Sequence, residues 1–264
     1  MILLFKRNLN EQTPREPLES IIDRMERTDL IISDLDDTDT YSPAKRIAYS
    51  YLTRLDKLSS PSFWRWAISC FFDLMLHGHG AEEGQWRKFR ATFLSDPEEL
   101  NYQTMNHLGH AKSMAFPGLL DFYDNFPDAK KAYISRNIPE IAESYGAVYG
   151  FDKIVSNAFD RESAVRSVLD AFPHKRNVLF KGDAKSDEDI LRILKGYKDS
   201  GRIHSLVSIN VAYGWRRIHP DFDLTINRDY TALVDILRRR AAKHLVPLQS
   251  KLTDATGKYM AKPY

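Results

Sequence analysis

Two aspartates, Asp34 and Asp36, stand two positions apart where an apolar run, Leu30-Ile31-Ile32, gives way to Ser33-Asp34-Leu35-Asp36-Asp37-Thr38. Two carboxylates at the carboxyl end of a strand can divide labour: one attacks phosphorus and the other moves a proton to the leaving oxygen. A second acidic group follows another apolar run, in Val178-Leu179-Phe180-Lys181-Gly182-Asp183 with Asp187 beyond it. A hard cation such as Mg2+ takes oxygen ligands and keeps several waters, so Asp34 and Asp183 on adjacent parallel strands could hold one with a backbone carbonyl. Asp183 and Asp187 also suit plain loop and helix-capping roles, and for Asp187 both can hold. A third candidate, Ser135, ends the run Ala132-Tyr133-Ile134. Its hydroxyl, with free N–H groups at the start of a following helix, would make a phosphate cradle.

The elements that must position these residues are legible as alternating patterns. Leu18, Ile21, Ile22 and Met25 repeat at helical spacing, and the run 30–32 behind them reads as a fully buried strand. Further strands are expected at 132–134, 177–180, 205–209 and 222–226, the last before a C-terminal helix. Helical patterns separate them at 119–126, 138–145, 162–172 and 187–197. This alternation predicts an α/β fold with a doubly wound, mostly parallel, Rossmann-like sheet whose strand carboxyl ends share one edge. Residues 43–112 break the rhythm with four helical stretches, 44–58, 63–76, 82–94 and 97–108, and no strand. The expected organisation is therefore a core domain of residues 1–42 and 113–245, an inserted all-helical subdomain at 43–112, and a polar tail at 246–264.

Composition narrows the functional classes. The chain has 264 residues, 43% apolar and 28% charged, which suits a folded domain with an insertion. A net charge of +2 gives no broad electrostatic footprint for nucleic acid. Cys70 is the single cysteine, so no disulfide within the chain can form and a reducing compartment is expected. Met1–Phe5 is apolar but is followed by Lys6-Arg7, the reverse of a secretory signal, and no apolar run is long enough to span a bilayer. The expected location is cytoplasmic, with no membrane and no nucleic-acid partner.

The order and context of these motifs resemble the haloacid dehalogenase-like (HAD) superfamily, phosphatase type. Its first motif matches Asp34-Leu35-Asp36-Asp37-Thr38, its second matches Ser135 in Tyr133-Ile134-Ser135-Arg136-Asn137, and its fourth matches Gly182-Asp183 with Asp187. The resemblance covers residues 29–240, and Phe116-Pro117-Gly118-Leu119-Leu120 looks like the return from cap to core. It implies that Asp34 is a nucleophile forming an aspartyl-phosphate, and that Asp36 is the general acid and base. Mg2+ would be held by Asp34, the Asp36 carbonyl and Asp183, with Asp187 in support. Thr38, Ser135, Arg136 and Arg161 would bind the phosphate of a small phosphorylated substrate, and the insertion would be the helical cap that closes over it.

The chain departs from that pattern in two places. The third motif is normally a Lys; here Arg161 is the first candidate, with Lys153 and Lys181 as alternatives, and an Arg fork is not a point charge. The second departure is Asp37-Thr38-Asp39, where the family usually has Gly-Thr and an apolar residue. Dehalogenation needs no second carboxylate, so Asp36 favours phosphoryl chemistry. A phosphomutase or phosphotransferase would use the same residues, and a catalytically silent binding protein on this fold is the reading from another class. The histidines His77, His79, His107 and His110 lack the Cys or Glu spacing of a zinc site. Arg238-Arg239-Arg240 complements the dipole of the last helix, so it need not bind an anion.

Overall fold

The structure is a computed structural model that describes residues 16–35, 37–41, 61, 64–65, 68, 91, 94, 96–183, 185–212 and 221–243. Its centre is a six-stranded, wholly parallel sheet of order β3-β2-β1-β4-β5-β6. The strands are β1 Leu30–Ser33, β2 Lys130–Ile134, β3 Lys153–Val155, β4 Asn177–Gly182, β5 Ser205–Val211 and β6 Leu224–Ile226. Helices alternate with them: α1 Leu18–Glu26, α2 Pro97–Met114, α3 Leu119–Asp124, α4 Pro139–Tyr149, α5 Arg161–Ala171, α6 Lys185–Asp199 and α7 231–243. The fold is the α/β, Rossmann-like arrangement expected, with every described strand pair parallel.

Sheet alternation splits the core in two. Ile31, Leu179 and Tyr133 face a layer that includes Met25, Phe122, Tyr145, Tyr230 and Leu233. Ile32, Phe180 and Ile134 face the opposite layer, built with Val165 and Val168 of α5 and Ile190 and Leu194 of α6. β1 is buried along its whole length because helices cover both faces. Each such fully buried Leu, Ile or Val contributes about 1.5–3 kcal/mol of transfer free energy, so the strands are anchored by packing.

β1 lies between β2 and β4, with Ser33 in register with Tyr133 and with Lys181. The segments following Ser33, Ile134 and Gly182 therefore leave the sheet side by side. The helical stretch expected at 97–108 runs to Met114, and Thr40 forms an isolated antiparallel bridge with Ala115 just beyond it. Almost all of 43–95 lies outside the described residues. Cys70, His77 and His79 lie there. β3 had no counterpart among the expected strands.

Candidate functional site

The site is built where β1 and β4 end. The Asp34 N–H donates to the Lys181 carbonyl (3.0 Å), and the Ser33 hydroxyl donates to the Asp34 carbonyl (2.8 Å). Those bonds extend the ladder one residue past the strand and leave the Asp34 side chain, only 7% exposed, at the sheet edge. Past β4, the Asp183 N–H donates to Asp187 Oδ2 (2.9 Å) across the first turn of α6, and Asp187 is fully buried. Gly182 makes this possible, since a Cβ there would lie 2.6 Å from the Asp187 Cβ and 2.7 Å from its Oδ2. Asp34, Asp183 and Asp187 each offer a carboxylate oxygen within 4.8 Å of the others. Among the described residues this is the one group of three or more acids, histidines or cysteines so arranged.

Positive charge enters from the N-terminal end of α5. Asp160 caps that helix, accepting from the Ser163 N–H (3.1 Å), which fixes Arg161 as its first residue. Arg161 is 8% exposed, and its Nη2 lies 3.6 Å from Asp187 Oδ1. Its Nη1 is buried without a hydrogen-bond partner, so one donor of the fork is unused. The other two cations go elsewhere. Lys153 opens β3 and lines a shallow surface crevice with Arg166 and Asp170. Lys181 projects to the opposite face of the sheet and pairs with Asp39 (2.5 Å). α5 and α6 pack in one layer and both begin at the strand carboxyl ends, so both positive helix ends lie on this side.

The loop after Asp34 turns tightly. Asp36 lies outside the described residues. Asp37 has φ +59°, the conformation that favours glycine, and that is the residue type the family pattern carries there. Its carboxylate pairs with Arg228 (2.6 Å), itself at φ +46°. The Asp37 N–H donates to the Thr40 carbonyl (2.9 Å), and the Thr40 hydroxyl donates to the Met114 carbonyl (2.9 Å). Thr38 is fully buried and its Oγ1 has no hydrogen-bond partner.

Ser135 departs from the expected cradle. Its N–H is spent on the Val155 carbonyl (2.9 Å), and its hydroxyl accepts from the Asn137 N–H (3.1 Å). The helix begins only at Pro139, with Ile138 at its cap, because proline's fixed φ and missing N–H suit a first helical position. Ser135 therefore sits in a buried turn before the helix, with Arg136 half-buried next to it.

A further polar group on the other face of the sheet was not foreseen. Asp39 and Lys181, both fully buried, are enclosed by Tyr123, Tyr133 and Tyr230. Burial pushes the Lys181 ammonium down to about 8, against the opposing pull of Asp39. Burial, and then the Asp39 charge, hold the Tyr123, Tyr133 and Tyr230 hydroxyls well above their ordinary value. The available signal was positional. Lys181 alternates with Phe180 in a buried strand, so its charge needed a partner on the Leu179 face.

His107, Arg238 and Arg240 have partners within the fold. His107 is buried with Nδ1 2.9 Å from the Tyr145 hydroxyl, whereas His110 is exposed, so the two do not converge. Arg238 pairs with Asp121 (2.7 Å), and Arg240 pairs with Asp23 and Glu26. No helix among the described residues is long and apolar enough to cross a membrane.

No family model matches the chain, and no curated protein does. Solved structures do. A haloacid dehalogenase-like hydrolase from Burkholderia xenovorans superposes with a TM-score of 0.52 at 16% identity, covering 78% of this chain and 98% of that one. A HAD-hydrolase from Bacillus subtilis bound to magnesium gives 0.49 at 14% identity, over 80% and 99% of the two chains. CbbY from Rhodobacter sphaeroides in complex with phosphate gives 0.43 at 14% identity, over 73% and 89%. With its parallel six-stranded sheet and the first of these superpositions, the chain has the fold of the haloacid dehalogenase-like hydrolases.

Proposed function

We propose that this chain is a Mg2+-dependent phosphatase that hydrolyses a small phosphorylated metabolite through an aspartyl-phosphate on Asp34. The observation that carries this reading is the convergence of Asp34, Asp183 and Asp187 at the ends of adjacent strands, with Arg161 beside Asp187. Three carboxylates packed so closely repel one another, and a cation held between them relieves that repulsion. An all-oxygen donor set of this kind suits a hard divalent cation. Asp34, Asp183 and the Asp36 carbonyl would hold it, with Asp187 orienting Asp183. When bound, Mg2+ neutralises charge between the carboxylates and the phosphate oxygens.

The chain's own residues would divide the remaining work. The Asp34 carboxylate attacks phosphorus while the ester P–O bond breaks, and the leaving oxygen takes a proton from Asp36. A water then attacks the acyl phosphate, giving its proton to Asp36 and releasing phosphate with Asp34 restored. The buried Thr38 Oγ1 and Arg161 Nη1, neither of which has a hydrogen-bond partner, would donate to phosphate oxygens. Ser135, whose N–H is spent but whose hydroxyl only accepts and keeps its own hydrogen, would donate that hydrogen to the phosphate, with Arg136 beside it. Residues 43–112 form the cap that closes over the substrate, around a core of 1–42 and 113–245, and the single cysteine supports work in the cytoplasm.

Turnover of an aryl phosphate with Mg2+, compared with Asp34→Asn, tests the reading. Hydrolysis that needs Mg2+ and falls roughly a thousandfold or more in Asp34→Asn supports it. Equal, negligible rates in both proteins would overturn it. Transfer of the phosphoryl group to a sugar with no free phosphate released would replace hydrolase by mutase.

A further inference from the structure

Lys181 holds the loop that follows Asp34 at both ends. Its backbone carbonyl accepts from the Asp34 N–H (3.0 Å). Its ammonium, on the opposite face of the sheet, donates to Asp39 Oδ1 (2.5 Å), to the Tyr123 hydroxyl (2.7 Å) and to the Tyr230 hydroxyl (3.3 Å). Asp39 is gripped from every side: Tyr123 and Tyr133 donate to Oδ2, the second at 2.8 Å, and the Phe116 N–H donates to its carbonyl (3.0 Å). The Tyr230 hydroxyl donates to the carbonyl of Thr38 (3.0 Å). Gly118 lets α7 deliver that tyrosine, because its φ is +73° and a Cβ there would lie 2.7 Å from the Thr231 nitrogen.

A buried ion pair is a poor stabiliser, since desolvating two charges offsets most of their attraction and well-packed apolar residues would serve as well. What apolar residues could not do is fix direction. Charge-assisted bonds from one lysine and two tyrosines impose one geometry on Asp39, and Tyr230, which accepts from the same lysine and donates to the Thr38 carbonyl, extends it to the backbone of residues 37–40. The same lysine stands two residues before Asp183, so the spacing between the ends of β1 and β4 is set in the same place.

We propose that the Lys181–Asp39 pair and its tyrosines are positioning residues that hold the Asp34–Thr40 loop in its reactive geometry. The catalytic consequence rests on the phosphatase reading above; the structural one does not. The test compares Lys181→Met, Asp39→Leu, the double variant and Tyr230→Phe by thermal midpoint, amide exchange across 37–40, and kcat and KM for an aryl phosphate with Mg2+. Each single change at the pair lowers the midpoint by leaving one buried charge unpaired. The double variant is expected to regain the midpoint yet exchange faster across 37–40, with kcat down about tenfold or more and KM within about twofold. Tyr230→Phe, which keeps the pair and cannot fail to fold for lack of it, shows the same kcat and exchange changes in smaller measure. A double variant that recovers kcat and loop protection together with stability would overturn the proposal. An inactive wild type would defeat the phosphatase reading alone, leaving amide exchange to decide the positioning role.

Discussion

Replacing Gly182 by alanine adds one methyl group where the site has no room. The new Cβ would stand 2.6 Å from the Asp187 Cβ and 2.7 Å from Oδ2, against an ordinary carbon contact of about 3.5–4.0 Å. Asp187 must retreat by roughly 1 Å, the shortfall between those distances. The bond from the Asp183 N–H to Asp187 Oδ2, now 2.9 Å, then leaves hydrogen-bonding range, and the Arg161 pairing at 3.6 Å loosens with it. A hydrogen bond to a charged group is worth about 1.5–3 kcal/mol, and Asp187 is fully buried, so water does not replace it. A loss of about 2–3 kcal/mol is expected, or roughly 5–10 °C in thermal midpoint for a chain of this size. The assay is thermal unfolding with and without Mg2+, and the stabilisation by Mg2+ should shrink because Asp187 orients Asp183. Gly196→Ala is the control. It lies within α6, where an added Cβ would meet nothing within 4 Å, and it should be neutral or stabilise by about 0.5–1 kcal/mol. Equal midpoints and equal Mg2+ responses in Gly182→Ala and wild type would refute the reasoning.

Asp37→Gly relieves a left-handed backbone worth about 1–2 kcal/mol but leaves Arg228, only 10% exposed, without that carboxylate, a loss of about 3–5 kcal/mol. Net destabilisation of about 1–4 kcal/mol is expected in a urea titration, and a stabilised variant would show that the ion pair contributes nothing. Tyr123 and Tyr133 hold their protons well above the ordinary value of 10.0. Above that pH the unfolded chain releases those protons while the folded chain keeps them, so stability falls as pH rises. Urea midpoints taken on both sides of pH 10 should therefore drop more steeply in wild type than in Tyr123→Phe; parallel slopes would contradict the burial argument.

The sequence made the strands with three or more consecutive apolar residues plain, because burial on both faces leaves no polar alternation. β3 escaped notice for the complementary reason: Lys153, Ile154 and Val155 are all half-buried, on an edge, and give no run. Ser135 was visible as a residue ending a strand, but its place before the helix depended on Pro139 starting that helix four residues later. Asp39 stood out as an acid where the family pattern has an apolar residue, and Lys181 as a cation near Asp183. That these are one buried pair follows only from tertiary packing, since Lys181 is in register with Ser33 and the loop after β1 brings Asp39 back to it. Likewise, that Arg161 stands beside Asp187 while Lys181 turns to the opposite face of the sheet depends on how strands and helices pack, which spacing leaves open.

The central claim is that Asp34 carries the phosphoryl group, and reductive trapping tests it most directly. An acyl phosphate is reduced by borohydride to an alcohol, whereas a phosphoserine is not. The protein is quenched during turnover of an aryl phosphate, reduced and digested. The account predicts conversion of Asp34 to homoserine in the peptide that contains it, absent without substrate. Phosphate found instead on Ser135, or turnover with no modified residue at position 34, would contradict it.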